Sequence, residues 1–490
     1  MPRPRLLFVC AEAFPLAKTG GLADVCASLP VALARAGIDV RLMMPGYRCA
    51  LDGAVGKRDL RTFDDGARLV VGRMPDTGLP VYLYDRSDLF GRAGGLYQDG
   101  SRNDWPDNHV RYGAFCLAAA DVARSGDGAG WSPQLVHAHD WHTALLPALV
   151  SLPDAPRLPS VLTIHNLAFQ GNFSPDAAKA IGLPPALRQS EAAEFYGQFS
   201  FLKLGIAYAD RLTTVSPTYA RDILTPEHGA GMDGLLRSRA TDLFGILNGV
   251  DGEVWNPATD AHLPTRYSHD DISGKHACKS AVQQELGLDP SDEKPLVCFL
   301  SRLTHQKMAD VVLATMPAFA RAGVQFAVHG SGDRDFEHAF ADAAARTPGA
   351  VVRIGYQEAL AHRLNAGADI SLTASRFEPC GLTTMYAMRY GTLPLTRPVG
   401  GLADTVVDAS GTLDGDGATG FTFSEPDEAG LLSGLERAAE RFRHRASWRR
   451  MQHAAMTRDF GWDLSAQRYI ELYESLLPDD APDALQKHAA

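Results

Sequence analysis

Short apolar runs alternate with amphipathic segments of helical length along most of this 490-residue chain. The runs are of strand length and bounded by turn residues, which is typical of strands buried in a parallel sheet with helices on its faces. They form two series. The first series lies at 5–10, 40–44, 134–138, 160–164 and 211–216, and the second at 296–301, 325–329, 351–354, 369–374 and 393–396. The alternation predicts an α/β fold with two doubly wound parallel sheets.

A polar stretch at 256–271 separates the two series and indicates a hinge. We therefore expect an N-terminal Rossmann-like domain over 1–250 and a C-terminal Rossmann-like domain over 251–460. The remaining segment, 461–490, begins as an amphipathic helix. In open α/β sheets, ligands bind at the carboxyl ends of the strands, so a cleft between two such domains is the expected site.

Composition excludes several classes of partner. The net charge of -11 and the pI of about 5.8 argue against a polyanionic partner such as nucleic acid. The seven cysteines contain no CxxC pair, which favours reduced thiols and disfavours zinc. The first apolar run is too short for a signal peptide, and no uncharged run has the length of a membrane helix. We expect a cytoplasmic protein with no membrane or nucleic-acid partner.

A glycine pair follows the first predicted strand. The segment from Lys18 reads KTGGLADV and opens a helix expected to end near residue 36. Gly20 and Gly21 would let backbone N–H groups approach a phosphate at the helix start, with Lys18 adding a positive charge. The alternative is a turn that merely begins a helix. The pentapeptide GGLAD recurs at 400–404, which indicates either two similar helix starts or two turns facing one cleft.

The second half carries cations and an acid at predicted strand ends. Arg302 and Lys307 follow its first strand and would suit a diphosphate leaving group, unless they are ordinary solvated charges. Glu378 lies before a helix expected at 384–389, where a carboxylate is stabilised, as any helix-start acid is. Cys380 lacks evident His and Asn partners, which disfavours a thiol nucleophile.

Histidine-rich motifs end two strands of the first half. His139, Asp140 and His142 follow one strand, and His165 follows the next. Alternation along a strand prevents these side chains from converging on a metal, so we interpret them as hydrogen-bonding groups of a sugar site. Two acidic triplets at 333–335 and 414–416 fall in turns or at a helix start, and we predict no metal site.

Together these motifs resemble the bacterial glycogen synthase and plant starch synthase family. Seven motifs occur in the family's order, beginning at Lys18, His139, Thr163, Leu247, Ser301, Arg376 and Gly400. The resemblance implies a GT-B fold whose C-terminal helix crosses back to the first domain. It also implies a retaining hexosyltransferase that uses ADP-glucose to extend the non-reducing end of an α-1,4-glucan such as glycogen, without a cofactor.

The resemblance also assigns roles to residues. The implied catalytic residues are Glu378, His165, Asp140, Arg302 and Lys307. The implied substrate-binding residues are Lys18, Gly20, Gly21, Asn248, Tyr356, Cys380, Gly381, Leu382 and Thr383. Arg302 and Lys307 would hold the diphosphate, Tyr356 would lie near the adenine, and Glu12 and Asp24 fall where the acceptor glucan is expected. Whether Glu378 is a nucleophile, a stabiliser or a positioning group stays open.

The chain departs from the family at one loop position. Where the family reads Gln-Lys-Gly-Leu-Asp, this chain has Met308 after Lys307. If the position requires a positive φ, the loop carrying Lys307 must shift. If it lies in the first turn of a helix, methionine is the better helix former and nothing is lost. We favour the second interpretation because Lys307 is retained.

Three other classes fit the pattern less well. A dinucleotide oxidoreductase would need GxGxxG after a strand, with an acid about twenty residues further on, and no such motif occurs. A phosphorylase would require a pyridoxal phosphate lysine and a much longer chain. A silent glucan-binding protein would not need Lys18, Arg302, Lys307 and Glu378 together.

Overall fold

The computed structural model describes residues 4–153, 156–188, 190–409 and 417–477. The chain divides into two compact units. The first comprises the chain up to Gly249 together with the segment that begins at Trp462, and the second comprises Val250–Gly461. None of the described helices is both long and apolar enough to cross a membrane. The acidic triplet at 414–416 lies outside the described residues.

The first unit is built on a nine-stranded sheet and a small three-stranded sheet. Its strands are β1 (Arg5–Val9), β2 (Asp39–Pro45), β3 (Val55–Thr62), β4 (Arg68–Arg73), β5 (Pro80–Asp85), β6 (Leu135–His139), β7 (Ser160–Ile164), β8 (Asn172–Phe173), β9 (Glu194–Phe195), β10 (Gln198–Ser200), β11 (Arg211–Thr214) and β12 (Leu243–Gly245). The large sheet has the order β12-β11-β7-β6-β1-β2-β5-β4-β3, and β8, β9 and β10 form the small sheet.

The chain enters the large sheet at its centre. Leu6 of β1 pairs in parallel with Val40 of β2 on one side and with Leu135 of β6 on the other. After β2 the chain passes to the sheet edge at β3 and comes back inward through β4 to β5, and it then adds β6, β7, β11 and β12 on the opposite side of β1. The strand order therefore reverses between β1 and β6, and a sheet of this kind binds ligands at such a switch point.

An antiparallel extension at 55–85 differs from the purely parallel pattern that the sequence predicts. β3 pairs antiparallel with β4, and β4 pairs antiparallel with β5. β3 forms the sheet edge and is mostly exposed and charged. An edge strand of this composition resists pairing with another chain. It has no apolar run, which is why a search for buried strands does not detect it.

Helices cover this sheet. They are α1 (Gly21–Arg35), α2 (Arg48–Gly53), α3 (Ser87–Phe90), α4 (Asn108–Ser125), α5 (Leu145–Val150), α6 (Ala177–Ile181), α7 (Pro185–Arg188), α8 (Phe201–Tyr208), α9 (Pro217–Asp222) and α10 (Asp233–Ser238). α1 buries Cys26, Leu29 and Leu33 along one face. It ends before Gly37, whose φ of 106° suits a residue without a side chain.

The second unit contains a six-stranded sheet that is parallel throughout. Its strands are β13 (Leu296–Leu300), β14 (Gln325–Gly330), β15 (Ala350–Ile354), β16 (Ile370–Thr373), β17 (Leu393–Thr396) and β18 (Phe421–Thr422). Their order is β15-β14-β13-β16-β17-β18. The first strand is again central, and the switch point lies between β13 and β16.

The helices of the second unit complete its layers. They are α11 (Gly274–Leu286), α12 (Ala309–Arg321), α13 (Arg334–Arg346), α14 (Glu358–Gly367), α15 (Leu382–Arg389), α16 (Gly401–Thr405), α17 (Glu428–Arg443) and α18 (Arg445–Met456). Asp333 is the N-cap of α13, so the acidic triplet at 333–335 begins a helix as the sequence predicts.

The last described helix, α19 (Trp462–Glu474), belongs to the first unit. It packs against α1 and buries Tyr469 and Tyr473. The Tyr473 hydroxyl is 2.8 Å from Nδ1 of His137 on β6, in the middle of the large sheet. The end of the chain therefore completes the core of the unit in which the chain begins.

Candidate functional site

Most of the predicted site residues follow strands at or next to the switch points of the two sheets, and each unit carries its own group, whereas Asn248 and Tyr356 follow the edge strands β12 and β15. In the first unit, Lys18 follows β1, Asp140 follows β6 and His165 follows β7. In the second unit, Lys307 follows β13 and Glu378 follows β16. Because β1, β6 and β7 run parallel, as do β13 and β16, these residues share the carboxyl edge of their sheet.

The glycine turn of the first unit is held by a buried acid, Glu12. Its carboxylate accepts the N–H of Thr19 at 2.5 Å and of Gly20 at 3.4 Å, together with the Tyr97 hydroxyl at 2.8 Å. Burial raises the pKa of Glu12 to about 7. Lys18 forms an ion pair of 2.9 Å with Asp24. The buried Glu12 thus anchors the loop. A side chain at Gly20 would project into open space, with no atom within 4 Å.

Asp140 has a backbone conformation that is almost confined to glycine, with φ 59° and ψ -179°. Its carboxylate accepts the backbone N–H of His165 at 2.8 Å and of Asn166 at 3.4 Å. Burial raises the pKa of the Asp140 carboxyl to about 7. The strained residue therefore joins the end of β6 to the end of β7 and fixes the backbone of His165.

Four histidines around Asp140 are kept neutral. Burial lowers the pKa of His142 and of His165 to about 3, and it lowers the pKa of His137 and His139 well below the usual value. His139 Nδ1 lies 2.9 Å from His165 Nε2. Neutral imidazoles both donate and accept hydrogen bonds, which suits recognition of sugar hydroxyls.

Asp140→Asn is expected to change how stability depends on pH. Because the pKa of Asp140 is higher in the folded than in the unfolded chain, the wild-type protein loses stability as the pH rises from about 4 to about 7. The loss of stability caused by ionisation of this group is at most about 4 kcal/mol. Asparagine does not ionise. In denaturant unfolding, the free energy of unfolding of the variant should therefore rise relative to that of wild type between pH 4.5 and pH 7.5. An equal difference at both pH values would contradict the assignment.

In the second unit, Lys307 and Glu378 form a close ion pair that is largely buried. Ser375, fully buried at the end of β16, donates its hydroxyl to the same Glu378 oxygen at 2.9 Å. The side chain of Glu378 is thereby fixed in position beside a cation. Sequence reasoning did not find Ser375, because nothing in the motif shows that a side chain three residues away points at the acid.

Arg376 ties the loop that carries Arg302 and Lys307 to the loop that carries Glu378. Its guanidinium contacts both carboxylate oxygens of Asp310, at 2.8 and 2.7 Å, and the carbonyl oxygen of His305 at 2.6 Å. Bidentate pairs of this kind fix geometry as well as charge. Gln306 donates to the Phe377 carbonyl at 3.2 Å, and Arg302, which is exposed, donates to Gln306 at 3.3 Å. The two loops therefore behave as one structural element.

The segment from Cys380 to Thr383 begins α15. Gly381, with φ 84°, is the N-cap, so the helix starts at Leu382, two residues before the predicted start at 384. The Cys380 side chain is buried. Because α15 begins only four residues after Glu378, its first backbone N–H groups lie at the same end of β16 as this acid.

The second GGLAD motif supports the Glu378 loop. Gly401 donates its N–H to the carbonyl oxygen of Glu378 at 3.0 Å and of Pro379 at 3.2 Å. A side chain at Gly400 would lie 1.9 Å from the Glu378 carbonyl oxygen. The repeat at Gly20 has open space instead. Both motifs begin helices, but the first leaves its glycine accessible and the second packs it against backbone.

Two further predicted residues differ in exposure. Tyr356 is 59% exposed, and its hydroxyl donates a hydrogen bond to the carboxylate of Glu358. Its ring is nearly parallel to that of His329. Asn248 is buried, and its Oδ1 has no hydrogen-bond partner among the described residues. A buried acceptor without a partner is costly and is available to a ligand hydroxyl.

Met308 corrects our interpretation of the loop after Lys307. Its φ of 50° and ψ of 36° place it in the left-handed region, at the N-cap of α12 and not in its first turn. The favoured interpretation was therefore wrong, and the position does require a positive φ. The Met308 side chain is fully buried, which offsets the strain of the backbone.

Substitution of Met308 should reverse the usual order of alanine and glycine. Both variants lose the buried side chain, at a cost of about 2–5 kcal/mol, but only glycine also relieves about 1 kcal/mol of strain. Met308→Gly should therefore be about 1 kcal/mol more stable than Met308→Ala, and both less stable than wild type, in denaturant unfolding. A more stable alanine variant would contradict the left-handed conformation.

Comparison with known proteins identifies the family of this chain. A family model for the starch synthase catalytic domain matches residues 5–238, and one for glycosyl transferases group 1 matches 286–452. The glycogen synthase of Burkholderia thailandensis is 51% identical over 483 residues, 96% of this chain and 90% of that protein. This chain belongs to the glycogen synthase family. The glycogen synthase of Roseobacter denitrificans is 47% identical over 96% of this chain and 99% of that protein.

Solved structures agree with this family assignment. The catalytic domain of starch synthase IV from Arabidopsis thaliana, bound to ADP and acarbose, matches with a TM-score of 0.88 and 32% identity. The match covers 96% of this chain and 99% of that one. A sucrose-phosphate synthase at 16% identity and a TM-score of 0.59 shares the fold. The glycogen synthase family member is thus a GT-B glycosyltransferase, which confirms the predicted family and fold class.

Proposed function

We propose that this glycogen synthase family member transfers glucose from ADP-glucose, with retention of the α configuration, to the non-reducing end of an α-1,4-glucan. The observation that carries the proposal is the buried pair of Lys307 and Glu378 at the switch point of the second sheet. A cation and a carboxylate held together there suit a departing diphosphate and a sugar that gains positive charge. The ADP and acarbose bound by the Arabidopsis starch synthase support the choice of donor and acceptor.

We assign the predicted residues to parts of the donor. In this proposal Arg302 and Lys307 bind the diphosphate, and Tyr356 stacks on the adenine. The remaining substrate contacts are proposed for Lys18, Gly20, Gly21, Asn248, Cys380, Gly381, Leu382 and Thr383. Asp140 and His165 hold the glucose, and the neutral imidazole of His165 does so through hydrogen bonds that do not compete for the diphosphate charge. The 251–460 domain would form the nucleotide-sugar donor side, and the 1–250 domain would form the acceptor side and also contact the donor through its residues named above.

In the proposed reaction, the acceptor hydroxyl attacks the glucose from the same face from which the leaving group departs. The bond between the glucose C1 and the diphosphate oxygen breaks, and a bond from C1 to the acceptor 4-oxygen forms. The acceptor proton passes to the departing diphosphate. Lys307 and Arg302 stabilise the charge on that leaving group, and Glu378 stabilises the positive charge on the sugar. In this scheme Glu378 acts as an electrostatic stabiliser, and Ser375 keeps its carboxylate oriented.

We propose that the reaction needs no divalent metal, because fixed cations supply the charge that Mg²⁺ would otherwise provide. Arg302 and Lys307 lie on one loop after β13, and Arg376 ties this loop to the loop that carries Glu378, which holds the loop in place before the donor arrives. Glucosyl transfer should therefore continue in excess EDTA. Loss of activity that Mg²⁺ or Mn²⁺ restores would overturn this part of the proposal.

The donor assignment is tested by comparing saturating ADP-glucose with saturating UDP-glucose on glycogen. Tyr356 presents an exposed ring, and adenine offers more area for stacking than uracil. The rate with ADP-glucose should be the higher of the two at saturation, and Tyr356→Ala should raise KM for ADP-glucose and so narrow the difference in kcat/KM between the two donors. A rate with UDP-glucose equal to or above that with ADP-glucose would refute the assignment.

We also propose a cytoplasmic location. All seven cysteines are free thiols, and six of them are buried. Thiols persist in this state in a reducing compartment.

A further inference from the structure

A network of buried polar side chains crosses the large sheet beneath His165. His137 is bonded to Tyr473 of α19 through Nδ1 and to Thr163 through Nε2 at 2.6 Å, and Thr163 is bonded in turn to Thr213 at 2.6 Å. His139 lies next to His137 on β6, with ring centroids 4.0 Å apart. The ring of Phe8 stacks against His139, with ring centroids 4.0 Å apart. His139 is therefore packed against two neighbouring rings.

The hydrogen bonds of His139 determine where its proton resides. Its Nδ1 contacts His165 Nε2 at 2.9 Å, and its Nε2 is buried with no partner in the part of the chain that the structure describes. A neutral imidazole carries one N–H. If that proton were on Nε2 of His139, a buried donor would have no acceptor, which native structures largely avoid. The proton belongs on Nδ1, where it reaches His165.

We propose that His139 is a positioning residue that donates its Nδ1 proton to His165 Nε2 and so forces His165 to carry its own proton on Nδ1. The remaining ring nitrogen of His165 thereby becomes a fixed hydrogen-bond donor. The carboxylate of Asp140 also fixes the backbone of His165, by accepting its N–H. His165 is thus set, in orientation and in tautomer, before any ligand binds.

This inference rests on the proposed function for its consequence in catalysis. A fixed donor suits an oxygen lone pair of a sugar hydroxyl, whereas the other tautomer would present an acceptor. Without His139, the His165 ring is free to rotate and to exchange tautomers, and part of the enzyme would hold the sugar wrongly. A misplacement of this kind costs on the order of 10²-fold in rate.

The tautomer is tested directly by ¹⁵N NMR of ligand-free, histidine-labelled protein. Long-range ¹H–¹⁵N spectra show which ring nitrogen carries the proton, and loss of signals in His165→Gln assigns His165. In wild type the proton should be on Nδ1 of His165. In His139→Leu, which removes the hydrogen bond, the His165 signals should show a mixture of tautomers. A proton on Nε2 of His165 in wild type would overturn the proposal.

The kinetic arm uses a rescue and a stability control. His139→Leu should lower kcat about 10²-fold, and His139→Asn, whose amide N–H takes the place of Nδ1, should return it to within about fivefold of wild type. Thr213→Val removes a buried hydroxyl from the network but not from His165, so it should lower Tm and leave kcat within twofold. A His139→Leu enzyme with wild-type kcat would contradict the proposal. If wild type transfers no glucose, the proposed function fails, while the NMR result still decides the tautomer.

Discussion

Lys307→Ala is expected to lower kcat by about 10²–10³-fold, the scale for removing one preorganised group aimed at developing charge. In the proposed reaction the ammonium stabilises the diphosphate as it leaves, so the loss falls on the transition state. KM for the donor should change much less than kcat. The measurement is the steady-state rate of glucosyl transfer to glycogen at saturating ADP-glucose.

Removal of Lys307 also leaves Glu378 without its ion partner, although Ser375 still donates to it. Some loss of Tm is therefore expected, and it must be separated from the catalytic effect. Lys294→Ala, at a solvent-exposed position of the same unit, serves as the control and should leave kcat and Tm unchanged. A kcat of Lys307→Ala within fivefold of wild type would contradict the role of this cation.

Gly400→Ala and Gly20→Ala should differ in stability, because the two GGLAD motifs have different surroundings. At Gly400, where φ is 48°, the new methyl group would stand 1.9 Å from the Glu378 carbonyl oxygen, so backbone must move. We expect the free energy of unfolding to fall by about 3 kcal/mol or more. At Gly20 the methyl group meets nothing within 4 Å, and stability should stay within about 1 kcal/mol of wild type.

The activities of the two variants should differ for different reasons. Gly400→Ala should lose transfer activity together with its fold, because the loop that carries Glu378 is displaced. Gly20→Ala should remain folded and still lose affinity for the donor, because the methyl group occupies the open side of the turn. Equal stabilities of the two variants would contradict the structural distinction. A folded Gly20→Ala enzyme with unchanged KM for ADP-glucose would contradict donor binding at this turn.

Much of the fold could be predicted from the sequence because its strands are buried. β7 and β17 have the predicted bounds, and β1 and β13 end one residue earlier than predicted. Burial on both faces leaves a continuous apolar run that a single sequence displays directly. β3 could not be found in this way, because its residues are exposed and its place in the sheet depends on pairing with β4.

The site was harder to predict, because its geometry depends on contacts between distant segments. The motif around Glu378 indicated an acid at a helix start, but not that Arg376 would reach Asp310, sixty-six positions away. The conformation of Met308 was misjudged for a related reason. Local propensity favours methionine in a helix, whereas the tertiary structure places it just before α12, in a left-handed turn.

The central claim is transfer of glucose with retention to the non-reducing ends of an α-1,4-glucan. The most direct test is to incubate the enzyme with glycogen and ADP-glucose labelled with ¹⁴C in the glucose, and then digest the product with β-amylase. That hydrolase removes maltose from non-reducing ends that carry α-1,4 linkages. The account predicts that label enters the glycogen and is released almost entirely as maltose. No incorporation, or incorporated label that resists β-amylase, would contradict it.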